Sequence, residues 1–169
     1  MRKPIVVKTM LDEPISDLAR KSNHRILGIW ANECAKRALP YFEERYPEDN
    51  RPRKALEALQ AWIQNGTFKM ADVRRDSLMA HAAAREVKET DEAARSAARS
   101  AGQAIATAHV PTHSIVAAIY AASAVRNATD SMDAVMKERD WQYQYLLELN
   151  KTVDTKYPAT QKLWRGSIQ

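Results

Sequence analysis

Between His81 and His113 the chain reads H-A-A-A-R-E-V-K-E-T-D-E-A-A-R-S-A-A-R-S-A-G-Q-A-I-A-T-A-H-V-P-T-H, with alanine and other small residues dominant and histidines and arginines recurring among them. Small side chains let helices approach to the low end of the ~8 to 10 Å interaxial range, so this stretch predicts a central, closely packed helix pair. Four glycines and one cysteine in 169 residues argue further for helices and against a sandwich, barrel or disulfide scaffold. His81, Arg85, Arg95, Arg99, His109 and His113 either form a working site or hold the helices in register. Each has a structural duty open to it, and the expectation is a polar core.

The rest of the chain has helical spacing too. Asp12 is a candidate cap for a first helix ending near Ser22, and Asn23 for a second that buries Ile26, Leu27, Trp30, Cys34, Ala38 and Leu39, with Glu33 and Arg37 as a flanking ion pair. Pro40 breaks that helix. Asn50 and Pro52 then start one burying Leu56, Leu59, Trp62 and Ile63 and ending at Asn65-Gly66. A helix follows over about 69 to 89, with Leu78, His81, Ala82 and Arg85 on one face. Thr90 or Asp91 caps the next, whose Ala94, Ala97, Ala98, Ala101, Ile105 and Ala108 share a stripe. Pro111 interrupts, and from Thr112 a helix carries Ile115, Val116, Ile119, Tyr120 and Val125 as bulk for its alanine-rich partners. Asp130 opens the last, with Met132, Val135, Met136, Trp141, Tyr145, Leu146 and Leu149.

The predicted fold is all-α: a single-domain multi-helix bundle of about seven helices over residues 1–169, with stacked helical hairpins as one arrangement. Residues 1–11 are an extended lead-in, and residues 158–169 a tail folded onto the body through Trp164. The lone Cys34 forms no internal disulfide, and the apolar run near the N-terminus is too short for a signal-peptide core, so a cytoplasmic location is expected. No run has the length of a membrane span. The net charge of +5 is spread as +3, +2 and 0 over residues 1–60, 61–129 and 130–169, with no basic arm to suggest a nucleic-acid partner.

Chemistry finds little support. His109 and His113 are four apart, but Pro111 breaks the helix that would aim both rings at one metal, and no helical His-Glu-x-x-His is present. No cofactor or metal is expected. Cys34 lies on an apolar stripe, where burial makes a thiol inert, and neither a nucleophile elbow nor a phosphate-cradling glycine loop occurs. An enzyme or small-ligand or anion-binding protein would use a pocket lined by His81, Arg85, His109 and His113 between the central helices. Arg51, Arg53 and Lys54 sit at the positive end of a helix, where negative partners are needed; Glu43, Glu44, Glu48 and Asp49 are adjacent, and an anion or acidic partner is the alternative.

The runs L-G-I-W-A-N-E-C-A-K-R-A-L-P-Y-F-E-E-R-Y-P-E-D-N-R-P-R-K-A-L-E-A-L-Q-A-W, H-A-A-A-R-E, A-A-R-S-A-G-Q-A-I-A-T-A-H-V-P-T-H-S and A-A-I-Y-A-A-S-A-V extend from about Leu27 to Val125. Together they resemble the bacterial immunity proteins of the Imm-5-like family. One departure is Gln103, where the resemblance leads one to expect histidine. The resemblance implies an all-helical, non-enzymatic protein that neutralises a toxin by direct binding, and it brings no catalytic residue. The basic chain suits a toxin with an acidic or neutral face, or a contact through the local patch Glu43, Glu44, Glu48, Asp49, Arg51 and Arg53. The final helix is a second candidate face, open to a partner or to a second copy of the chain.

Overall fold

A computed structural model describes residues 6–156. They form eight α-helices: α1 (Asp12–Lys21), α2 (His24–Ala38), α3 (Pro40–Glu43), α4 (Arg51–Asn65), α5 (Met70–Glu86), α6 (Glu92–Ala106), α7 (His113–Thr129) and α8 (Met132–Lys156), with no strand among the described residues. α3 is a single turn, so seven longer helices make the expected all-α bundle. None of the described helices is long and apolar enough to cross a membrane. The proposed docking of Trp164 lies outside the described residues.

Local signals act where their chemistry is unambiguous. Asn23 Oδ1 accepts from the Ile26 amide at 2.8 Å, Gly66 ends α4 in the left-handed region at φ 71°, and Pro40 and Pro52 occupy first turns. Other caps are corrected. Asp12 is the first helical residue, and its carboxylate accepts from Thr9 instead. Asn50, Asp91 and Thr112 stand at the cap positions but make no side-chain cap bond. Asp130 does not open α8: it ends α7 at φ 50°, and Ser131 Oγ accepts from the Ala134 amide.

α6 is the centre, packing on α2, α3, α4, α5 and α7. Its buried face is almost wholly small: Ala94, Ser96, Ala97, Ala98, Ser100, Ala101, Gly102 and Ala104, with Ile105 the one large member. α7 meets it with Ala117, Ala118, Ala121 and Ala124, and turns Ala122 toward Val7 and Val135, while Ile115, Ile119, Tyr120 and Val125 are half-buried and Val116 is exposed. Ile115 packs against the cluster that holds Ala94, Ala97 and Ala98, while for Val116, Ile119, Tyr120 and Val125 the expectation that α7's bulk faces its alanine-rich partners is reversed. Two small-residue faces gain more dispersion contact by drawing their backbones together than bulk could gain by holding them apart.

Around this pair lie two large apolar clusters and a small one of Val7, Ala122 and Val135. Trp30, Cys34, Ala38, Phe42 and Leu146 belong to one large cluster, and Leu39, Leu56, Leu59, Trp62, Ile63 and Ile105 to the other. α2 serves both. Gly28 permits this, because a Cβ there would stand 2.4 Å from the Trp62 ring.

α8 is fastened by polar groups that its apolar spacing does not announce. Arg139, fully buried, donates to Asp12 Oδ1 and Gln142 Oε1, each at 2.8 Å; Gln142 in turn donates to the Ala118 carbonyl, and its own carbonyl accepts from Trp30 Nε1. Arg37 does not pair with Glu33, which takes Lys36. It forks onto the buried Glu138 and lies 4.0 Å above the Trp141 ring. Arg37 therefore covers part of the Met and aromatic face of α8, and Trp141 and Tyr145 stack beside it at 5.0 Å.

Cys34 is fully buried, and burial together with nearby Glu138 pushes its thiol up. The thiolate is the reactive form. Cys34 is expected to resist a thiol reagent in the native protein and to titrate as one thiol on unfolding; rapid native labelling would contradict its burial.

Candidate functional site

Two surface regions gather the residues singled out by the sequence. The first is the turn between α3 and α4. Arg53 forks onto Glu43 with both contacts at 2.6 Å, and Arg51 bridges Asp49 on its own turn to Glu86 at the end of α5. These cations at the start of α4 thus obtain their negative partners from within the chain, and Arg51 and Arg53 are not free for an outside anion. Hydrogen bonds to Arg51 hold the Asp49 and Glu86 carboxyls below the usual range. Glu44 and Glu48 stay exposed.

Beside this turn runs a groove of about 520 Å³ between the C-terminal end of α2, α3 and α4. Leu39, Pro40, Leu56 and Ala61 give it apolar walls; Lys36, Glu43, Arg53 and Glu57 give it a charged rim. Gln60, also in the lining, accepts from the buried Asn32 at 2.9 Å, leaving Asn32 Oδ1 without a partner. Sequence spacing marked Leu39 and Leu56 as core and gave no sign of the groove, which depends on how α2, α3 and α4 come together.

The second region lies across α5, α6 and the start of α7. His81 rests against Gly102 of α6, where a Cβ would stand 2.7 Å from its Nε2. Ser77, one turn earlier, donates to the Gly102 carbonyl at 2.9 Å and fixes that approach. His113 Nδ1 donates to Gln103 Oε1 at 2.6 Å, and the Arg99 guanidinium lies 5.9 Å from the Tyr120 ring centre. His109 is exposed, edge-on to Phe68, while His24 donates to the Thr107 carbonyl and tilts over Trp62.

The stretch from 81 to 113 is therefore split between two roles. Its alanines make the core; its histidines and arginines lie half-buried or exposed along one side, not in a polar core. Leu78, placed by spacing on the same face as His81, is 64% exposed. The reason is geometric: on α5 the buried residues are Val73, Ala80, Ala83 and Ala84, a stripe that leaves Leu78 and Arg85 turned outward. His24 and Tyr120 were not among the expected pocket residues, since only tertiary packing brings them near it; Gln103, singled out only as a departure from the family pattern, enters through its bond to His113.

Burial lowers His24, His81 and His113; for His81 the neighbouring Arg99, Arg85 and His113 add to the effect, and His109 adds to it for His24 and His113. The unfolded chain, with histidines near ~6.5, then binds more protons than the folded one as the pH falls through that value. Stability is expected to be full above about pH 6.5 and to decline below it. Thermal melts across that range test this. A flat profile there would contradict it, because the lowered carboxylates titrate in a separate, more acidic window. Among the described residues no group of three His, Cys, Asp or Glu is placed to hold a metal ion.

A family model described as "Imm-5 like putative immunity protein" matches residues 17–149. No curated protein and no solved structure matches the chain.

Proposed function

Since the chain belongs to the Imm-5 like immunity protein family, we propose that it neutralises a cognate bacterial toxin by binding it directly, with no chemistry of its own. The observation that carries this reading is the family match, which spans α2 to most of α8. We place the contact on the face formed by the groove and the adjoining turn. The groove offers apolar walls for an anchoring side chain, which is where binding energy concentrates in interfaces. The Glu43 and Arg53 ion pair lies on its rim and the Asp49 and Arg51 pair on the adjoining turn, which limits the side-chain ordering lost on docking. Glu44 and Glu48 supply the free charge that would orient a partner. A toxin acting in the same cell, and a lone reduced cysteine, fit a cytoplasmic setting.

Co-expression with the toxin encoded beside the gene tests the reading. Protection and a 1:1 complex on sizing are expected. Glu44→Lys with Glu48→Lys should weaken that complex without changing the far-UV spectrum, and filling the groove by Ala61→Trp should weaken it more. If the wild-type chain neither binds nor protects, the immunity role is wrong. If it protects and all these variants protect equally, the role stands but the face is elsewhere; elution of the free chain at twice its mass would reveal self-association.

A further inference from the structure

The face built by α5, α6 and the start of α7 concentrates positive groups, and among the described residues Arg85 and Arg99 there make no ion pair, although Glu86 next to Arg85 feels its charge. Arg85 follows His81 by one turn on α5; Arg99 and Gln103 lie one turn apart on α6, flanking the point where His81 meets Gly102; and His113 is held to Gln103. Among the described residues neither Arg85 nor Arg99 forms an ion pair, whereas Arg51, Arg53, Arg75, Arg95 and Arg139 all do. Carboxylates on these helices pair with other arginines: Glu86 with Arg51, Glu92 through one oxygen with Arg95, and Asp76 with Arg75. The backbone contributes little there, because the His113, Ser114 and Ile115 amides are taken up by the Val110, Pro111 and Thr112 carbonyls. The positive character therefore belongs to side chains.

We propose that His81, Arg85, Arg99 and His113 form a binding site for an oxyanion, a phosphate or carboxylate group. The two guanidiniums supply paired N–H donors matched to such a group, and the imidazoles supply further N–H donors when protonated. Gln103 orients His113 by accepting from its Nδ1, which leaves Nε2 as the ring nitrogen not engaged by Gln103. Gly102 lets the His81 ring lie low against α6, and the Tyr120 ring supports Arg99 from below. An anion here would relieve the mutual repulsion of the four groups, so its binding and the protonation of the two histidines are coupled. His81 is faced by Arg85 from α5, Arg99 from α6 and His113 from α7, and His113 by His109 from the loop before α7, all of them cationic or able to become so. The chemistry is the same whether the oxyanion is free in solution or is a carboxylate on a partner protein.

Sulfate is the probe, because its charge is constant across the useful pH range, with sodium chloride at matched ionic strength as the control. Histidine ring resonances of the whole protein are followed by NMR. We expect those of His81 and His113 to move saturably with sulfate and not with chloride, both groups to titrate at higher pH when sulfate is bound, and affinity to rise as the pH falls from about 8 to about 6. The double variant Arg85→Gln, Arg99→Gln should weaken binding by at least about tenfold. Neither arginine holds an ion pair, so the variant should keep its far-UV spectrum and melting cooperativity. Loss of sulfate binding with protection against the toxin intact would assign the site to a free oxyanion; loss of both would assign it to a carboxylate of the partner. Unsaturable shifts, shifts matched by chloride, or equal binding by the double variant would overturn the site. The titration needs no toxin, so its failure is separate from failure of the immunity role.

Discussion

Trp30→Ala is expected to lower unfolding stability by about 3 to 5 kcal/mol, as deletion of a buried aromatic side chain removes both transfer energy and packing. Trp30 has no exposed surface, and it stands in the cluster with Phe42 and Leu146. Its Nε1–H donates to the Gln142 carbonyl at 2.8 Å across to α8, a second bond on a carbonyl that already sits within the helix, so its loss adds about 0.5 to 1.5 kcal/mol. A domain of this size has roughly 5 to 15 kcal/mol in total, so the variant should sit near the edge of folding at 37 °C. Urea denaturation measures the change. Trp30→Phe keeps most of the ring and loses the hydrogen bond, so it should cost less than half as much. A loss below about 1 kcal/mol for the alanine variant would mean the cavity closes, or that this contact is not central.

Asp12→Ala should cost about 3 kcal/mol, near the low end for breaking a buried ion pair. The side chain of Arg139 is 1% exposed and that of Asp12 33%, so the cost comes chiefly from leaving the guanidinium without its counter-charge. Burial pushes the Asp12 carboxyl up, but hydrogen bonds from the Thr9 amide and hydroxyl and from Arg139 outweigh it and hold the group below its ordinary range. Its contribution is therefore present above the unfolded value and is lost as the pH falls toward the folded one. Arg139→Met removes the charge instead of orphaning it. The double variant Asp12→Ala, Arg139→Met should recover much of the stability lost by Asp12→Ala alone, and a double-mutant cycle reads the coupling. Strict additivity would show that the two groups do not support each other in solution.

These two sites separate what local spacing encodes from what only packing brings together. Trp30 was legible, because it recurs with Ile26, Leu27, Cys34 and Ala38 at helical steps. Asp12 and Arg139 were not: they are 127 residues apart, and nothing in either local pattern announces that they meet. Arg139 and Gln142 occupy buried positions on a helix whose visible signal was methionine and aromatic residues. The candidate surfaces divide the same way. That Arg51 and Arg53 need negative partners follows from their place at a helix start, and Glu43 and Asp49 were at hand. Glu86 as a partner, and the groove beside the turn, required the packing of α4 against α5 and α2.

The sequence by itself determined the helices, most of their ends and the central place of the alanine-rich stretch, since spacing, proline, glycine and the one effective asparagine cap act within a turn or two of chain. Which face each helix buries, and so whether His81, Arg85, Arg99 and His113 would be core or surface, was decided only by the tertiary structure. Alanine carries too little apolar area to orient a helix by itself. Its neighbours choose the orientation, and the close packing of α5, α6 and α7 turned the alanines inward and left the cationic side chains half-buried or exposed.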